Sequence, residues 1–392
     1  MIVKIDDAFS IIRNGANIKQ GSDDSGYPIT RIETIANRVV DRNKMGYAGI
    51  KTIAEYQDYI LQDGDILMSH INSEKHLGKV AIYDKQENEI VIHGMNLLCL
   101  RPKTEILNSR YAFYYLSSEM FLRQLPNITK KSVNQASFNI TSLKELMIPI
   151  VSMELQLNIV DVLDKLQALI GKLKYQLIEL DKLVKSRFIE LFGDPVSNPM
   201  GWNKKTLKEV CVKLNDGTHF SPESFDTGEY KYVTAKNIKI NGFDFSNISY
   251  VPEETHRPIY ERCNPEKGDV LYIKDGATTG IAMVNTLEEE FTLLSSVALL
   301  KQDRSVINGY FLAATLNDKN MYSNIRSNMG GAAITRLTIA KLNSVKVIVP
   351  PLELQQQFAT FVAEVDKSKL AVQQSLQELE LLKKSLMQQY FG

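Results

Sequence analysis

The run KDGATTGIA at 274–282 sets a lysine and two threonine hydroxyls among glycines, which let a tight loop approach a backbone or enter a groove. It reads equally as a plain hairpin. A second stretch, NMGGAAITRLT at 328–338, offers Asn328, Thr335 and Arg336, in a setting that an ordinary surface connection would share. Amides, guanidinium groups and hydroxyls presented this way hydrogen-bond to base edges, while lysines and backbone amides position a phosphate backbone. In the first part of the chain the residues of the right type are Arg13, Asn14, Lys19, Gln20, Lys130, Lys131, Asn134 and Gln135. In the second they are Thr218, His219, Lys236, Asn237, Lys274, Thr278, Thr279, Arg326, Asn328, Thr335 and Arg336, of which Lys274, Thr278, Thr279 and Arg336 rank first.

Catalytic constellations are missing. There is no GxxxxGKS/T phosphate loop, no HExxH zinc helix and no GxSxG nucleophile elbow. The amino-methyltransferase pattern of Asn or Asp, Pro-Pro and an aromatic is absent too, because Pro350-Pro351 stands between Val349 and Leu352. Cys99, Cys211 and Cys263 are far apart and form no CxxC, which excludes a disulfide framework and a cysteine-zinc site. His70, His76, His93, His219 and His256 have no ligand spacing, and Asp23-Asp24 and the acidic run 288–290 read as solvated surface. We expect no catalytic residue, no metal site and no cofactor bound by this chain. A noncatalytic binding module fits best.

The elements that must position these residues follow from an internal repeat. Residues 154–193 align without a gap onto 353–392, at a constant offset of 199. Upstream, NITSLKELMIPI at 139–150 matches TIAKLNSVKVIVP at 338–350, and GDIL at 64–67 matches GDVL at 268–271. The repeating unit is therefore a globular domain followed by a helix. In the first helix Ile159, Leu163, Leu166, Ile170, Leu173, Leu177, Leu180 and Val184 alternate spacings of four and three, the period of a coiled-coil seam. Phe358, Val362, Val365, Val372, Leu376, Leu379 and Leu386 keep that register in the second, where Lys369 and Lys383 interrupt it. Intramolecular pairing is the leading expectation; separate packing on each domain, or homodimerisation through the seam, are the alternatives.

The intervening regions mix short β-branched and aromatic runs (KVAIYD, EIVIHG, LLCLRP, then DVLYI, GIAMV, SVALL) with helical stretches at 111–125 and 309–325. We expect two tandem α/β or α+β domains separated by two long helices that form an antiparallel coiled coil. The boundaries are 1–150, 151–193, 194–348 and 349–392, with DPVSNPMGW at 194–202 marking a clear exit from the first helix. The 392 residues carry 46 basic and 46 acidic side chains, so no basic excess advertises a nucleic-acid partner. Any phosphate affinity must come from charges arranged on one face, with help from other subunits. No stretch approaches the roughly 20 apolar residues of a membrane span, so a cytoplasmic chain without membrane contact is the expectation.

The doubled plan, with IPIVSMELQLNIVDVLDKL at 148–166, VPPLELQQQFATFV at 349–362 and LFGDPVSNPMGW at 191–202, resembles the specificity subunit of type I restriction-modification systems over essentially the whole chain. The resemblance implies two target-recognition domains, each reading half of a bipartite double-stranded DNA sequence. It also implies two modification subunits that carry S-adenosylmethionine and methylate adenine, and restriction subunits that use ATP and Mg for translocation and cleavage. Rival readings are a two-domain scaffold for RNA or protein, and a methyltransferase with degenerate motifs.

Overall fold

The computed structural model describes residues 1–19, 25–133, 135–327 and 337–392. They form two compact units, Met1–Leu173 with Ser375–Gly392, and Lys174–Gln374. Each unit contains a recognition-sized domain and half of each long helix.

The first unit is built on a four-stranded antiparallel sheet in the order Phe9–Asn14, Leu97–Pro102, Ile66–Ser69, Val80–Ile82. Its two central strands are apolar at nearly every position because both faces are covered, so alternate residues enter different cores. Ile66, Met68, Leu98 and Leu100 face one core, with the helix Ser109–Leu116. Leu67, Leu97 and Cys99 face the other. The second unit repeats this, with strands ordered Cys211–Asp216, Val297–Gln302, Val270–Ile273, Ala282–Val284. Val270, Tyr272, Ala298 and Leu300 share one core, and Leu271, Ile273, Val297 and Leu299 the other. The GDIL and GDVL matches are thus the same strand in two copies. In each the aspartate is fully buried, Asp65 in a two-pronged pair with Arg101 at 2.7 Å and Asp269 beside Lys301 at 3.4 Å.

Some expected elements come out differently. The stretch 111–125 is broken at Ser117-Ser118, where the Ser118 hydroxyl accepts the Phe121 N–H and starts a new turn of helix. Asp318 does the same between Gly309–Asn317 and Lys319–Ser327, accepting the Asn320 and Met321 N–H groups. EIVIHG is not a ladder strand; Ile92 makes only isolated bridges, to Ile29 and Ile60.

Each domain is closed by a short two-stranded clip that brings its two ends together. Ile2–Lys4 pairs with Met147–Pro149 in the first unit, and Asn203–Thr206 with Lys346–Val349 in the second. Out of each clip comes a 40-residue helix, Met153–Phe192 and Leu352–Phe391, about 60 Å long at 1.5 Å per residue. The seam residues are the buried or half-buried ones in both helices. Within the first unit, Phe391 packs in the core that holds Ile159 and Leu163, while Lys383 donates to Gln167. Within the second, Phe358 packs edge-on against Phe188 and Phe192, and Lys369 meets Asp181 at 2.6 Å. In both units, moving forward along one helix means moving back along the other. The helices form an antiparallel coiled coil, and the lysines that break the apolar pattern serve as polar cross-links.

Candidate nucleic-acid interface

A buried glutamine anchors each long helix to its domain. Gln156 Oε1 accepts the Asn108 N–H at 2.8 Å, and its Nε2 donates to the carbonyls of Ile106 and Val151, both at 2.9 Å. Gln355 repeats this with the Asn308 N–H at 2.8 Å and the carbonyls of Pro350 and Val306 at 2.8 and 3.3 Å. Asn108 and Asn308 in turn cap the helices that follow, accepting N–H groups of the first turn. These anchors lie just beyond Leu97–Pro102 and Val297–Gln302. The opposite ends of those strands are therefore turned away from the anchor.

That far end is where most of the expected polar residues gather. In the first unit Asn14 pairs with Leu98 and Ser69 with Leu97, at the edge from which Ile71–Asn72 continues into a small sheet with Ala136–Ser137 and Lys130–Lys131. Arg13 lies 4.9 Å from the centre of the Tyr59 ring. Lys19, Lys130 and Lys131 are exposed, Lys131 in contact with Glu74 at 2.6 Å, and Gln135 closes the turn with Ser132. Asn134 lies outside the described residues, as does Gln20.

In the second unit Asp216, which pairs with Ala298, is the hub. Its buried carboxylate contacts Lys274 at 3.3 Å, Arg262 at 3.6 Å and His219 at 3.2 Å. Lys274 is almost wholly buried and also contacts Asp275 at 3.0 Å, so its charge is balanced inside the protein. Thr278 is exposed, whereas Thr279 is buried and donates to the Gly276 carbonyl. Arg326 reaches the Thr279 carbonyl at 3.3 Å and the Tyr322 hydroxyl at 2.6 Å, so it joins the 274–280 loop. Asn237 is buried and committed to the Thr234 turn and the Asp244 carbonyl, and Lys236 beside it is exposed. Arg336, Asn328 and Thr335 fall outside the described residues.

Several residues at these ends escaped the sequence reading. His70 and His93 are buried at the far end of the first unit, where burial holds both imidazoles neutral, lowered to about 4. Neither has a spacing to betray it. Gly15 and Gly217, each directly after the end of the outer strand, do carry a signal. A Cβ on Gly15 would sit 2.1 Å from the Gly94 carbonyl oxygen, and one on Gly217 would sit 1.9 Å from that of Leu293. The next residue then donates its N–H inward, Ala16 to His93 and Thr218 to Leu293, both at 2.8 Å. The Asn-Gly and Asp-Gly pairs are thus one recurring device that turns the chain across the sheet end. Among the described residues no group of three His, Cys, Asp or Glu side chains is placed to hold a metal, and no helix is long and apolar enough to cross a membrane.

Comparison with known proteins gives this geometry a context. The model of the type I restriction modification DNA specificity domain matches residues 1–180 and again 199–381. A putative type I restriction enzyme MjaX specificity subunit from Methanocaldococcus jannaschii is 31% identical over 397 residues, covering 98% of this chain and 91% of that protein. The MjaIX specificity subunit of the same organism is 23% identical, covering 86% of this chain and 79% of that one. Among solved structures, the S subunit of a type I restriction-modification system from M. genitalium superposes with a TM-score of 0.60 at 16% identity, covering 100% of this chain and 96% of that one. A chain from a study of assembly and conformational transition in the type I system superposes with a TM-score of 0.53, also at 16% identity, covering 100% and 97%. The last two establish a shared fold.

Proposed function

This chain belongs to the family of type I restriction-modification DNA specificity subunits, and from that premise we propose that each unit reads one half of a split duplex target. As a member of that family it is a noncatalytic subunit. One observation carries the reading further. In both units the polar candidates collect at one end of the same four-stranded sheet, while a buried glutamine fastens the other end to a long helix.

In this reading exposed Lys19, Lys130, Lys131, Lys236 and Thr278 position the phosphate backbone, and Arg13, Gln135, His219 and Arg326 supply donors and acceptors for base edges. The long helices set the separation of the two readers and dock two modification subunits. S-adenosylmethionine belongs to those partners, ATP and Mg to the restriction subunits, and the assembly works in the cytoplasm on adenine. Equal numbers of basic and acidic residues make the chain alone a weak DNA binder whose partners add phosphate contacts.

The test is protection mapping on a randomised duplex library, with the chain co-purified with its methyltransferase subunit and S-adenosylmethionine. Two short fixed blocks at constant separation are expected. A folded complex without sequence preference would refute the split-site reading, and tight specific binding by the chain alone at physiological salt would refute the dependence on partners.

A further inference from the structure

The loop after the strand Cys211–Asp216 presents Phe220, 62% exposed, on the end of the sheet assigned above to DNA reading. The loop is rigidly held. Gly217 touches the Leu293 backbone with no room for a side chain, and Thr218 is 3% exposed. The Thr218 N–H donates to Leu293, its carbonyl accepts the Ser295 N–H at 2.8 Å, and its hydroxyl donates to the Phe220 carbonyl at 3.2 Å. Phe220 is thus displayed by a fixed backbone although nothing covers most of its ring. Beside it, Asp216 holds His219 and Arg262, and the Arg262 guanidinium also donates to the Gly217 carbonyl. Phe220, His219, Arg262 and Ile259 line one open cavity of about 460 Å³. A preorganised apolar ring beside the Arg262 guanidinium and the His219 imidazole, both held by Asp216, has the chemistry of a side chain that enters a base stack, where every base offers a π-face and the neighbouring N–H donors reach the adjacent nucleotides.

Among the described residues the first unit shows no such group. Its matching loop, after Asn14, makes the same glycine contact, but Ile18 stands where Phe220 would be and packs on Ala16, Ile29 and Ile92. The two readers differ at this position in kind.

We propose that Phe220 is a stacking wedge that inserts between two adjacent base pairs of the half-site read by the second unit, with Arg262 on a flanking phosphate and His219 at the edge of a neighbouring base. This rests on the split-site reading above. The experiment uses the full chain with its methyltransferase partner. Sites are first selected from a randomised duplex library by the wild type, and 2-aminopurine is then scanned through both half-sites during binding by wild type, Phe220→Ala and Phe220→Trp. Apart from the adenines that the methyltransferase partner flips out, whose signal Phe220→Ala keeps, the wild type raises the fluorescence at one further step, in one half-site only. Phe220→Ala loses that rise and weakens specific binding about tenfold or more, with an unchanged melting temperature, and Phe220→Trp restores the rise. A wild type that selects a split site while Phe220→Ala binds within about twofold and gives the same fluorescence pattern overturns the wedge and leaves the function standing. A wild type that selects no site overturns both.

Discussion

Replacing Gln156 with alanine tests how the recognition domain is fastened to its helix. The side chain is fully buried and makes three hydrogen bonds at 2.8 to 2.9 Å, one accepted from a backbone N–H and two donated to backbone carbonyls. Truncation strands all three partners. A typical net loss of about 1 kcal/mol per bond gives about 3 kcal/mol, and incomplete rehydration of the stranded groups raises this to about 5 kcal/mol. For a cooperative unit of this size each kcal/mol moves the midpoint by roughly 2–4 °C, so a fall of about 10 °C is expected. Calorimetry of the full chain measures it. Gln156→Met keeps the length of the side chain and strands the same groups, so it should lose nearly as much, whereas a pure cavity effect would be rescued. Gln355→Ala should show an equal loss in the second unit, and the double variant the sum, because the two networks share no residue. A Gln156→Ala protein melting within about 2 °C of the wild type would mean that the stranded groups find other partners, and the anchoring role would fall.

Further outcomes follow from the same structure. Lys369→Met and Asp181→Asn should couple in a double-mutant cycle by about 0.5–1 kcal/mol, the modest value expected with Asp181 partly exposed, and strict additivity would remove the pair as a cross-link. Burial lowers His93 and His70 to about 4, so the unfolded chain takes up their protons first. The stability they contribute is complete above about pH 6.5 and is lost as pH falls from there to about 4, by up to about 3 kcal/mol per histidine. Urea midpoints at pH 7 and 4.5 should therefore lie closer together for His93→Gln than for the wild type, and parallel losses would contradict this. Gly171 sits inside the first long helix with nothing near its absent Cβ, so Gly171→Ala should stabilise by about 0.5–1 kcal/mol, whereas Gly217→Ala meets a carbonyl oxygen and should destabilise by about 1–3 kcal/mol. Thermal melts of the pair would refute this if both moved the same way.

The helices were readable because their signal is local: a 3.5-residue period written in Ile159, Leu163, Leu166 and their successors needs no knowledge of a partner. The repeat added the rest of the plan, since an element that occurs twice must do the same job twice. Residue type was a poorer guide to exposure. Lys274 and Asn237 sit on the end of the sheet proposed to read DNA, yet Lys274 is buried against an aspartate 58 positions earlier, which leaves no trace in its neighbours, and Asn237 fills a turn with Thr234, a local signal that residue type alone does not carry. Gln156 was invisible as an anchor for the same reason as Lys274, because its partner Asn108 is 48 residues away. Phe220 was passed over because an aromatic residue is ordinarily read as core.

The two-stranded clips have an engineering consequence. Because Ile2–Lys4 lies against Met147–Pro149, and Asn203–Thr206 against Lys346–Val349, the chain enters and leaves each domain at adjacent points. Everything between behaves as a plug in a socket whose rim is the clip and whose latch is the glutamine. Exchanging the loops between the clip strands, while keeping the Tyr111, Tyr115 and Phe311 side chains that pack on Phe391, Phe188 and Phe192, should leave the helices and their register in place. On the proposed split-site reading, such a molecule changes what it recognises by cassette, one half at a time.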